Sequence, residues 1–368
     1  MNISIEKNNN NFSINAHIAD QKTPLPALWI RERVQDSSQV DIKTQQRLFN
    51  PHLLPTDLQI THASIDNNLL ELTFSDNYSA VFQTDQLINE ALGFNSGLPE
   101  IISWDAADKV ELKFDWQEIL QSKQYFLEAV SMFLSYGYII IHNTPTQVDS
   151  ILNIARKFGY VRDTNFGRYF EVFSKPDAND LAYTPHAIGP HTDNPYRDPV
   201  PGIQLLHCLV NETRGGLSTL VDSLSVAQTL KAEDPGGYEL LADTAVRFRF
   251  YDHDTEHVAF HPIIEKDNLG NMLGIHYSPR LDDLPLLPES TLQHYQAARK
   301  RLGELLEDAR YERKFKLEAG ELMMFDNNRI LHGRTGFDPN EGARHLQGCY
   351  IDRDGPKSHY RLLSKHVS

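Results

Sequence analysis

The order of apolar and polar residues predicts a chain built mainly of short strands. Short apolar runs alternate with Gly-bearing turns, a pattern typical of a sandwich or jelly roll. Beyond residue 200 the predicted strands are 202–209, 217–222, 245–251, 272–277, 314–318, 321–325, 330–333 and 344–351. Three stretches instead repeat apolar residues at helical spacing: 115–136, 146–158 and 289–309. A predicted strand at 137–142 separates the first two of these helices. The pattern therefore predicts a mainly β protein with flanking helices.

The length of the chain and its turn residues predict two domains after a short tail. A chain of 368 residues exceeds the usual size of a single core. Residues 1–20 begin with an Asn-rich stretch and are expected to be frayed. Residues 21–98 form a small β-rich domain, with strands predicted at 28–31, 69–74 and 78–82 and a Gly- and Pro-bearing linker at its end. Residues 99–368 form the large domain.

Composition excludes several classes of function. The net charge is −15, and no Lys/Arg stripe is present that would bind nucleic acid or an anionic membrane surface. No signal peptide or membrane-spanning apolar run occurs, so we expect a cytoplasmic protein. The two cysteines, Cys208 and Cys349, lie in apolar runs and exclude a disulfide scaffold or a C-x-x-C zinc site. No Gly-rich nucleotide-binding motif follows a predicted strand.

The candidate chemistry starts from the H-x-D pair His191 and Asp193, which precedes an apolar strand. On an extended backbone, side chains two residues apart leave the same face and reach one point. His332 supplies a second imidazole, and two His with one carboxylate form the open facial triad of non-haem Fe(II) oxygenases. Arg344, twelve residues later, is suited to hold a dicarboxylate through a bidentate pair. A lone H-x-D pair is weak evidence among 16 His and 50 acidic residues, but the four residues together are specific.

Other polar residues are interpreted as structural. Asp252-His253-Asp254 is expected to form a solvated turn, and His207 with Cys208 to lie in the core. His345 follows Arg344 and therefore faces the other side of its strand, so it is not expected to be a fourth ligand.

Several stretches of the chain resemble one known family in order and spacing. They are DLAYT from 180, HTDNPYR from 191, PGIQLLHC from 201, GGLSTLVD from 215, FDNNRILHGR from 325 and RHLQGCY from 344. Together they resemble the Fe(II)/2-oxoglutarate oxygenases typified by γ-butyrobetaine hydroxylase and trimethyllysine dioxygenase, in the taurine dioxygenase superfamily. The resemblance implies a distorted double-stranded β-helix (a jelly roll) with a small N-terminal β-rich domain. It also suggests a homodimer.

The resemblance implies the cofactors and their ligands. Fe(II) is held by His191, Asp193 and His332, and the reaction consumes 2-oxoglutarate and O₂. The far carboxylate of 2-oxoglutarate pairs with Arg344, assisted by a hydroxyl from Ser218 or Thr219. Relatives often hold a zinc in the N-terminal domain with three Cys and one His. Residues 32–38 contain no Cys here, so no structural zinc is expected.

The resemblance also implies where a small zwitterionic substrate binds. The positions that match the aromatic enclosure of a trimethylammonium group are Phe166, Phe170, Tyr183 and Tyr350. The candidates to bind a carboxylate or a phosphonate at the other end of the substrate are Asn194, Tyr196, Arg197 and Arg280. Arg280 has a structural alternative, an ion pair with Asp282 or Asp283, as Arg197 has with Asp198.

Asp180 replaces the amide that butyrobetaine hydroxylases carry, and a carboxylate there favours a second cationic group. The substrate therefore stays open between γ-butyrobetaine, trimethyllysine or a related amino acid, and a trimethylaminoethyl phosphonate.

Two other classes of function compete with an oxygenase. A zinc-dependent hydrolase or isomerase can use the same triad, but it has no need of Arg344 as a dicarboxylate anchor. A binding module that has lost its chemistry is disfavoured because all three metal ligands are present.

Overall fold

The computed structural model describes residues 1–9, 11–18, 21–91, 97–173, 184–267 and 270–365. The chain divides into two compact units, Met1–Gly97 and Leu98–Ser368. Among the described residues, no helix combines the length and the apolar character needed to cross a bilayer.

The first unit is built around one antiparallel sheet. Its elements are β1 (Asn2–Asn8), β2 (Asn11–Ile18), β3 (Gln21–Leu25), α1 (Ala27–Arg31), a 3₁₀ helix (Pro51–Leu53), β4 (Ile60–Asp66), β5 (Leu69–Phe74), β6 (Ser79–Gln83) and α2 (Thr84–Ala91). The strands lie in the order β1-β2-β4-β5-β6, and β3 pairs with β2. The buried face of the sheet carries the core of this unit, which includes Ile14, Ile60, Leu70 and Phe74.

Two sequence predictions about this unit were wrong. Residues 1–9 and 11–18 are not frayed, because β1 pairs with β2 along its whole length and the two strands bury Ile3, Ile14 and Ala16. Residues 28–31 were predicted as a strand and instead belong to helix α1, which follows Pro26 and buries Ile30 completely. A run of four residues is too short for apolar periodicity to distinguish a helix from a strand.

A buried arginine holds the segment that follows α1. The Arg31 guanidinium donates to Asp76 Oδ2 at 2.9 Å and to Gln39 Oε1 at 3.1 Å. It lies 4.0 Å from the centroid of the Tyr78 ring, and the Tyr78 hydroxyl donates to the Asp36 carboxylate. This hydrogen-bonded cluster fixes residues 36–39 onto the β5–β6 hairpin. It stabilises the segment that lacks the Cys residues of a zinc site; the absence of zinc itself stays a prediction.

We expect Arg31→Met to lower the free energy of unfolding by about 3 kcal/mol, because it leaves the Asp76 carboxylate without its cation in a largely buried place. Urea unfolding followed by circular dichroism and tryptophan fluorescence measures this change. The matched control is Lys22→Met, which removes an exposed ion pair to Glu6 and should change stability by at most about 1 kcal/mol. Equal effects of the two substitutions would contradict the role given to Arg31.

The second unit combines sheets, helices and hairpins. Its strands are β7 (Lys113–Asp115), β8 (Tyr138–His142), β9 (Phe170–Val172), β10 (Ile188–His191), β11 (Ile203–Asn211), β12 (Ser218–Asp222), β13 (Ala245–Tyr251), β14 (Glu256–Pro262), β15 (Ile264–Lys266), β16 (Met272–Ile275), β17 (Glu312–Phe315), β18 (Leu322–Asp326), β19 (Ile330–Arg334) and β20 (Arg344–Ile351). Its helices are α3 (Trp116–Gln121), α4 (Lys123–Tyr136), α5 (Ser150–Phe158), α6 (Ser223–Glu233), α7 (Pro235–Asp243), α8 (Glu289–Leu306) and α9 (Asp354–Leu363).

The strands form the double-stranded β-helix that the sequence predicts. The larger sheet has the order β7-β8-β18-β11-β20-β9, and the smaller sheet has the order β10-β19-β12-β17. β13 pairs with β14, and β15 pairs with β16, as separate hairpins. Helices α4 and α5 pack on the larger sheet around Phe126, Phe158 and Ile139. Helices α6, α7 and α8 form a second core with Leu230, Leu302 and the hairpins.

Most predicted strands of this unit are present within a few residues of their predicted bounds. The helix predicted at 115–136 is divided into α3 and α4 because the Ser122 hydroxyl accepts from the Tyr125 amide and starts a new helix. Helices α6, α7 and α9 were missed. The start of α7 did carry a local signal, since Asp234 caps it and Pro235 occupies its first position.

Candidate metal centre and its cavity

The smaller sheet brings the two predicted histidine ligands together. His191 ends β10 and is the direct cross-strand partner of His332 on β19, with ring centroids 4.2 Å apart. Asp193 lies two residues beyond the strand, and its Oδ1 is 3.4 Å from His191 Nε2 and 3.8 Å from His332 Nε2. In the described part of the chain, these three residues are the one group whose ligand atoms lie close enough to hold a metal ion, all within 4.8 Å.

The loop that carries Asp193 is held by a buried amide. Asn327 is fully buried between β18 and β19, and its Oδ1 accepts from the Asp193 amide at 2.7 Å. Its Nδ2 donates to the carbonyls of Asp193, at 2.9 Å, and Pro201, at 3.0 Å. On the other side of the pair, the Thr192 amide donates to the Tyr277 carbonyl at 2.7 Å. These hydrogen bonds fix the backbone of the segment that carries the Asp193 carboxylate.

The protonation states around the triad suit a divalent metal. The Nδ1–H of His191 donates to the Gly189 carbonyl at 3.0 Å, so in the neutral ring the lone pair is on Nε2, which faces Asp193. Burial, with repulsion from His191, lowers the pKa of His332 to about 3 and keeps this imidazole neutral. Burial alone would raise the pKa of Asp193, but its contacts with His332, His191 and Tyr350 hold that pKa below its usual value. A neutral imidazole, a second imidazole whose Nε2 faces the carboxylate, and the carboxylate itself are ligands that Fe(II) prefers.

The triad opens into a cavity of about 870 Å³ between the two sheets, a size typical of small-molecule sites. Arg344 enters it from the start of β20, and its side chain is buried with an unpartnered Nε. Within the described ranges no carboxylate pairs with it. Gly216, with φ of 66°, leaves the required space, since a Cβ there would lie 2.9 Å from Arg344 Nε. Burial lowers the pKa of Arg344, but a guanidinium stays charged at neutral pH. A buried cation without an ion pair fits a ligand carboxylate.

The two candidate hydroxyls on β12 are separated by the alternation of the strand. Ser218 lines the cavity that contains Arg344, whereas Thr219 faces the other side of the sheet. The sequence left both positions open because a shift of one residue exchanges the two faces.

Most of the predicted substrate residues line the same cavity. Asp180 and Tyr183 lie outside the described residues. The cavity wall contains six of the other seven candidates, all except Arg197: Phe166, Phe170, Asn194, Tyr196, Arg280 and Tyr350.

The aromatic residues of the wall form two groups. Tyr196 stacks on Phe250 with centroids 4.9 Å apart, and Phe166 meets the edge of the same ring at 5.8 Å. The guanidinium of Arg197 lies over this first group, 5.7 Å from Phe166 and 5.6 Å from Tyr196. Phe250 was not predicted from the sequence. Along the alternating strand β13, an apolar residue that lines a cavity cannot be distinguished from a core residue.

The second aromatic group lies beside Asp193. Phe170 packs on Tyr350 with ring centroids 5.4 Å apart. The Tyr350 hydroxyl donates to Asp193 Oδ2 at 2.7 Å. Burial and the charge of Asp193 raise the pKa of Tyr350 well above its usual value, so the hydroxyl keeps its proton.

Arg280 lies in the cavity wall without a carboxylate partner among the described residues. The ion pairs that would explain it structurally are not formed. Asp282 instead accepts from Arg299 at 2.7 Å, and Asp283 accepts from Arg247 at 2.6 Å. Arg280 is therefore a cation at the cavity that is available to an anionic ligand.

The residues interpreted as structural have structural contacts. His207 is fully buried, its Nε2 lies 2.9 Å from Thr144 Oγ1, and burial lowers its pKa to about 4. His345 contacts Glu171 at 2.5 Å and lies outside the triad. The segment from Asp252 to Asp254 is the exposed turn of the β13–β14 hairpin, as predicted, but it also lines the cavity, which the sequence did not indicate.

Comparison with known proteins agrees with this architecture. Residues 99–350 match the family described as "Taurine catabolism dioxygenase TauD, TfdA family". The sequence is 31% identical to a gamma-butyrobetaine dioxygenase of Pseudomonas sp. (strain AK-1), over 93% of this chain and 91% of that protein. It is 26% identical to the mitochondrial trimethyllysine dioxygenase of Rattus norvegicus, over 92% of this chain and 83% of that protein. A solved asparagine oxygenase with Fe(II), 3-hydroxyasparagine and succinate has a TM-score of 0.50 at 15% identity, covering 64% of this chain and 79% of its own, and supports the fold alone.

Proposed function

Because this chain belongs to the TauD, TfdA family of dioxygenases, we propose that it is an Fe(II)- and 2-oxoglutarate-dependent hydroxylase of a small trimethylammonium zwitterion. One observation carries the proposal. The His191–Asp193–His332 triad lines a single cavity with Arg344, which is buried and has no ion pair among the described residues. A metal site next to a buried cation is what a chelating keto acid with a second carboxylate requires.

In this proposal the residues of the chain position the reactants. His191, Asp193 and His332 would hold the iron, and such an open triad would leave room for a chelating keto acid. Arg344 and Ser218 hold the far carboxylate of the keto acid. When bound, iron, 2-oxoglutarate and O₂ supply oxidative decarboxylation to succinate and CO₂ and the hydroxylation of an unactivated C–H bond. The cavity wall orients the target carbon and excludes water.

The residues of the cavity wall favour a zwitterionic substrate, with one anionic group and one alkylammonium group. Arg280, which pairs with no carboxylate in the part of the chain that the structure describes, provides a cation for a carboxylate or a phosphonate. Phe170 and Tyr350 provide aromatic faces for an alkylammonium group, whereas the Phe166 and Tyr196 rings are already covered by Arg197. We therefore place the ammonium end beside Phe170 and Tyr350. A γ-butyrobetaine-like substrate is the first candidate; trimethyllysine or a related amino acid, and a trimethylaminoethyl phosphonate, are the alternatives.

A zinc-dependent hydrolase on the same triad is the alternative class. Its reaction would not use Arg344, and the burial of this cation without an ion pair in the described ranges would then be unexplained. This observation favours the oxygenase. The homodimer and the cytoplasmic location stay predictions.

A substrate screen tests the proposal. Succinate formation is measured with Fe(II), 2-oxoglutarate and O₂ in the presence of γ-butyrobetaine, trimethyllysine, the trimethylaminoethyl phosphonate or their unmethylated analogues. We expect a trimethylated compound to stimulate succinate formation and its unmethylated analogue to be a poorer substrate, because it loses the aromatic contacts. Activity that needs neither 2-oxoglutarate nor O₂ would favour the hydrolase.

The same screen with Asp180→Asn tests the second cationic group. If a carboxylate at position 180 selects an amino group, the variant should shift its preference from trimethyllysine towards γ-butyrobetaine. An unchanged preference would show that Asp180 does not select the substrate.

A further inference from the structure

We propose that Tyr350 is a positioning residue that connects the aromatic substrate wall to the metal ligand Asp193. This inference rests on the proposed function, and it adds a role that substrate contact alone would not give to Tyr350. The ring of Tyr350 belongs to the wall of the cavity, and its hydroxyl holds one oxygen of the Asp193 carboxylate.

The hydroxyl distinguishes the two oxygens of Asp193. Oδ2 accepts from the Tyr350 hydroxyl at 2.7 Å, whereas Oδ1 faces the Nε2 atoms of His191 and His332 at 3.4 Å and 3.8 Å. With Oδ2 occupied by a donor, Oδ1 is the oxygen that is left for a metal. Hydrogen bonds to a ligating carboxylate of this kind fix its orientation and tune the metal that it binds.

The position of the hydroxyl is fixed by the larger sheet. Tyr350 pairs with Gln204 across β11 and β20, and its carbonyl accepts from the Arg162 amide at 2.8 Å. Only 3% of the residue is exposed. The donor, the Tyr350 hydroxyl, therefore belongs to β20 of the larger sheet, and the acceptor, Asp193, follows β10 of the smaller sheet.

The ring of Tyr350 is linked to the substrate side through Phe170. Gly348 lies on the same face of β20, and a Cβ at this position would lie 2.3 Å from Phe170 Cζ. The missing side chain makes room for the Phe170 ring, which packs against Tyr350 at 5.4 Å. A ligand that contacts this aromatic pair therefore contacts the side chain that holds Asp193. We infer that occupancy of the wall changes the environment of the metal.

Titration with Co(II), an oxygen-stable probe, tests the role of the hydroxyl through its affinity and its visible absorption. We expect Tyr350→Phe to lower Co(II) affinity by about 10-fold or more, because an outer-shell partner of a ligand is lost while the ring remains. The matched control is Tyr138→Phe, which removes a buried hydroxyl of the same sheet that accepts from Arg313 and contacts no metal ligand. Its Co(II) affinity should stay within about 2-fold. Equal affinities and spectra for wild type and Tyr350→Phe would overturn the proposal.

A second variant tests whether Phe170 connects the substrate to the metal ligand through Tyr350. Gly348→Ala displaces Phe170 but leaves the hydroxyl, so we expect wild-type Co(II) affinity and a smaller change in absorption when γ-butyrobetaine is added with 2-oxoglutarate. An undiminished change would remove Phe170 from the link. Thermal unfolding of each variant identifies any loss of fold. Because the metal titration needs no turnover, a failed substrate screen and a failed role for Tyr350 give different results.

Discussion

His191→Ala is expected to abolish turnover and to lower Fe(II) affinity by more than the roughly 10- to 100-fold that the loss of an outer-shell partner causes. The imidazole is one of the three side chains of the described metal group, and its Nε2 faces Asp193. His191 lies at the end of β10, the edge strand of its sheet, so its removal should leave the fold intact. The loss of activity would then report the loss of a ligand and not unfolding.

Anaerobic Fe(II) titration and succinate formation measure the effect of this substitution. The matched control is His345→Ala, since His345 lies on the opposite face of its strand and contacts Glu171 instead of the triad. The control should keep the affinity of the wild type for Fe(II). Full activity of His191→Ala would show that the metal assignment is wrong.

The second large effect is expected from Arg344→Met, which should weaken 2-oxoglutarate binding by about 3 kcal/mol, or ~100-fold. A buried guanidinium gives a carboxylate two charge-assisted hydrogen bonds, and methionine fills a similar space without a donor. Because Arg344 is not a member of the metal group, Fe(II) affinity should stay the same. This separates loss of the co-substrate from loss of the metal.

Titration of the metal-loaded protein with 2-oxoglutarate measures the affinity. Arg247→Met is the control, because this arginine is half-exposed and pairs with Asp283 outside the cavity wall. If Arg344→Met binds 2-oxoglutarate normally, Arg344 is not the anchor. If, in addition, turnover needs no O₂, the hydrolase alternative replaces the oxygenase.

The sequence by itself determined which residues can carry the chemistry. The H-x-D pair, the later His332 and the trailing Arg344 are recognisable because residue type and order along the chain are sufficient to indicate a metal–keto acid site. The alternation of apolar residues predicted most strands of the second unit, and the resemblance predicted the family that the comparisons confirm. Local pattern was insufficient at α1, whose run is too short to distinguish a helix from a strand, and at β1, which takes its structure from its partner β2.

The tertiary structure decided how those residues are held. Asn327 fixes the Asp193 loop from 134 residues away, and the Tyr350 hydroxyl reaches the same carboxylate across 157 residues. The register of β12 places Ser218, and not Thr219, in the cavity. Asp282 and Asp283 pair with other arginines, so Arg280 has no carboxylate partner among the described residues. None of these contacts is visible in the spacing of nearby residues. They depend on strand register and on the packing of two sheets, which bring distant parts of the chain within hydrogen-bond distance.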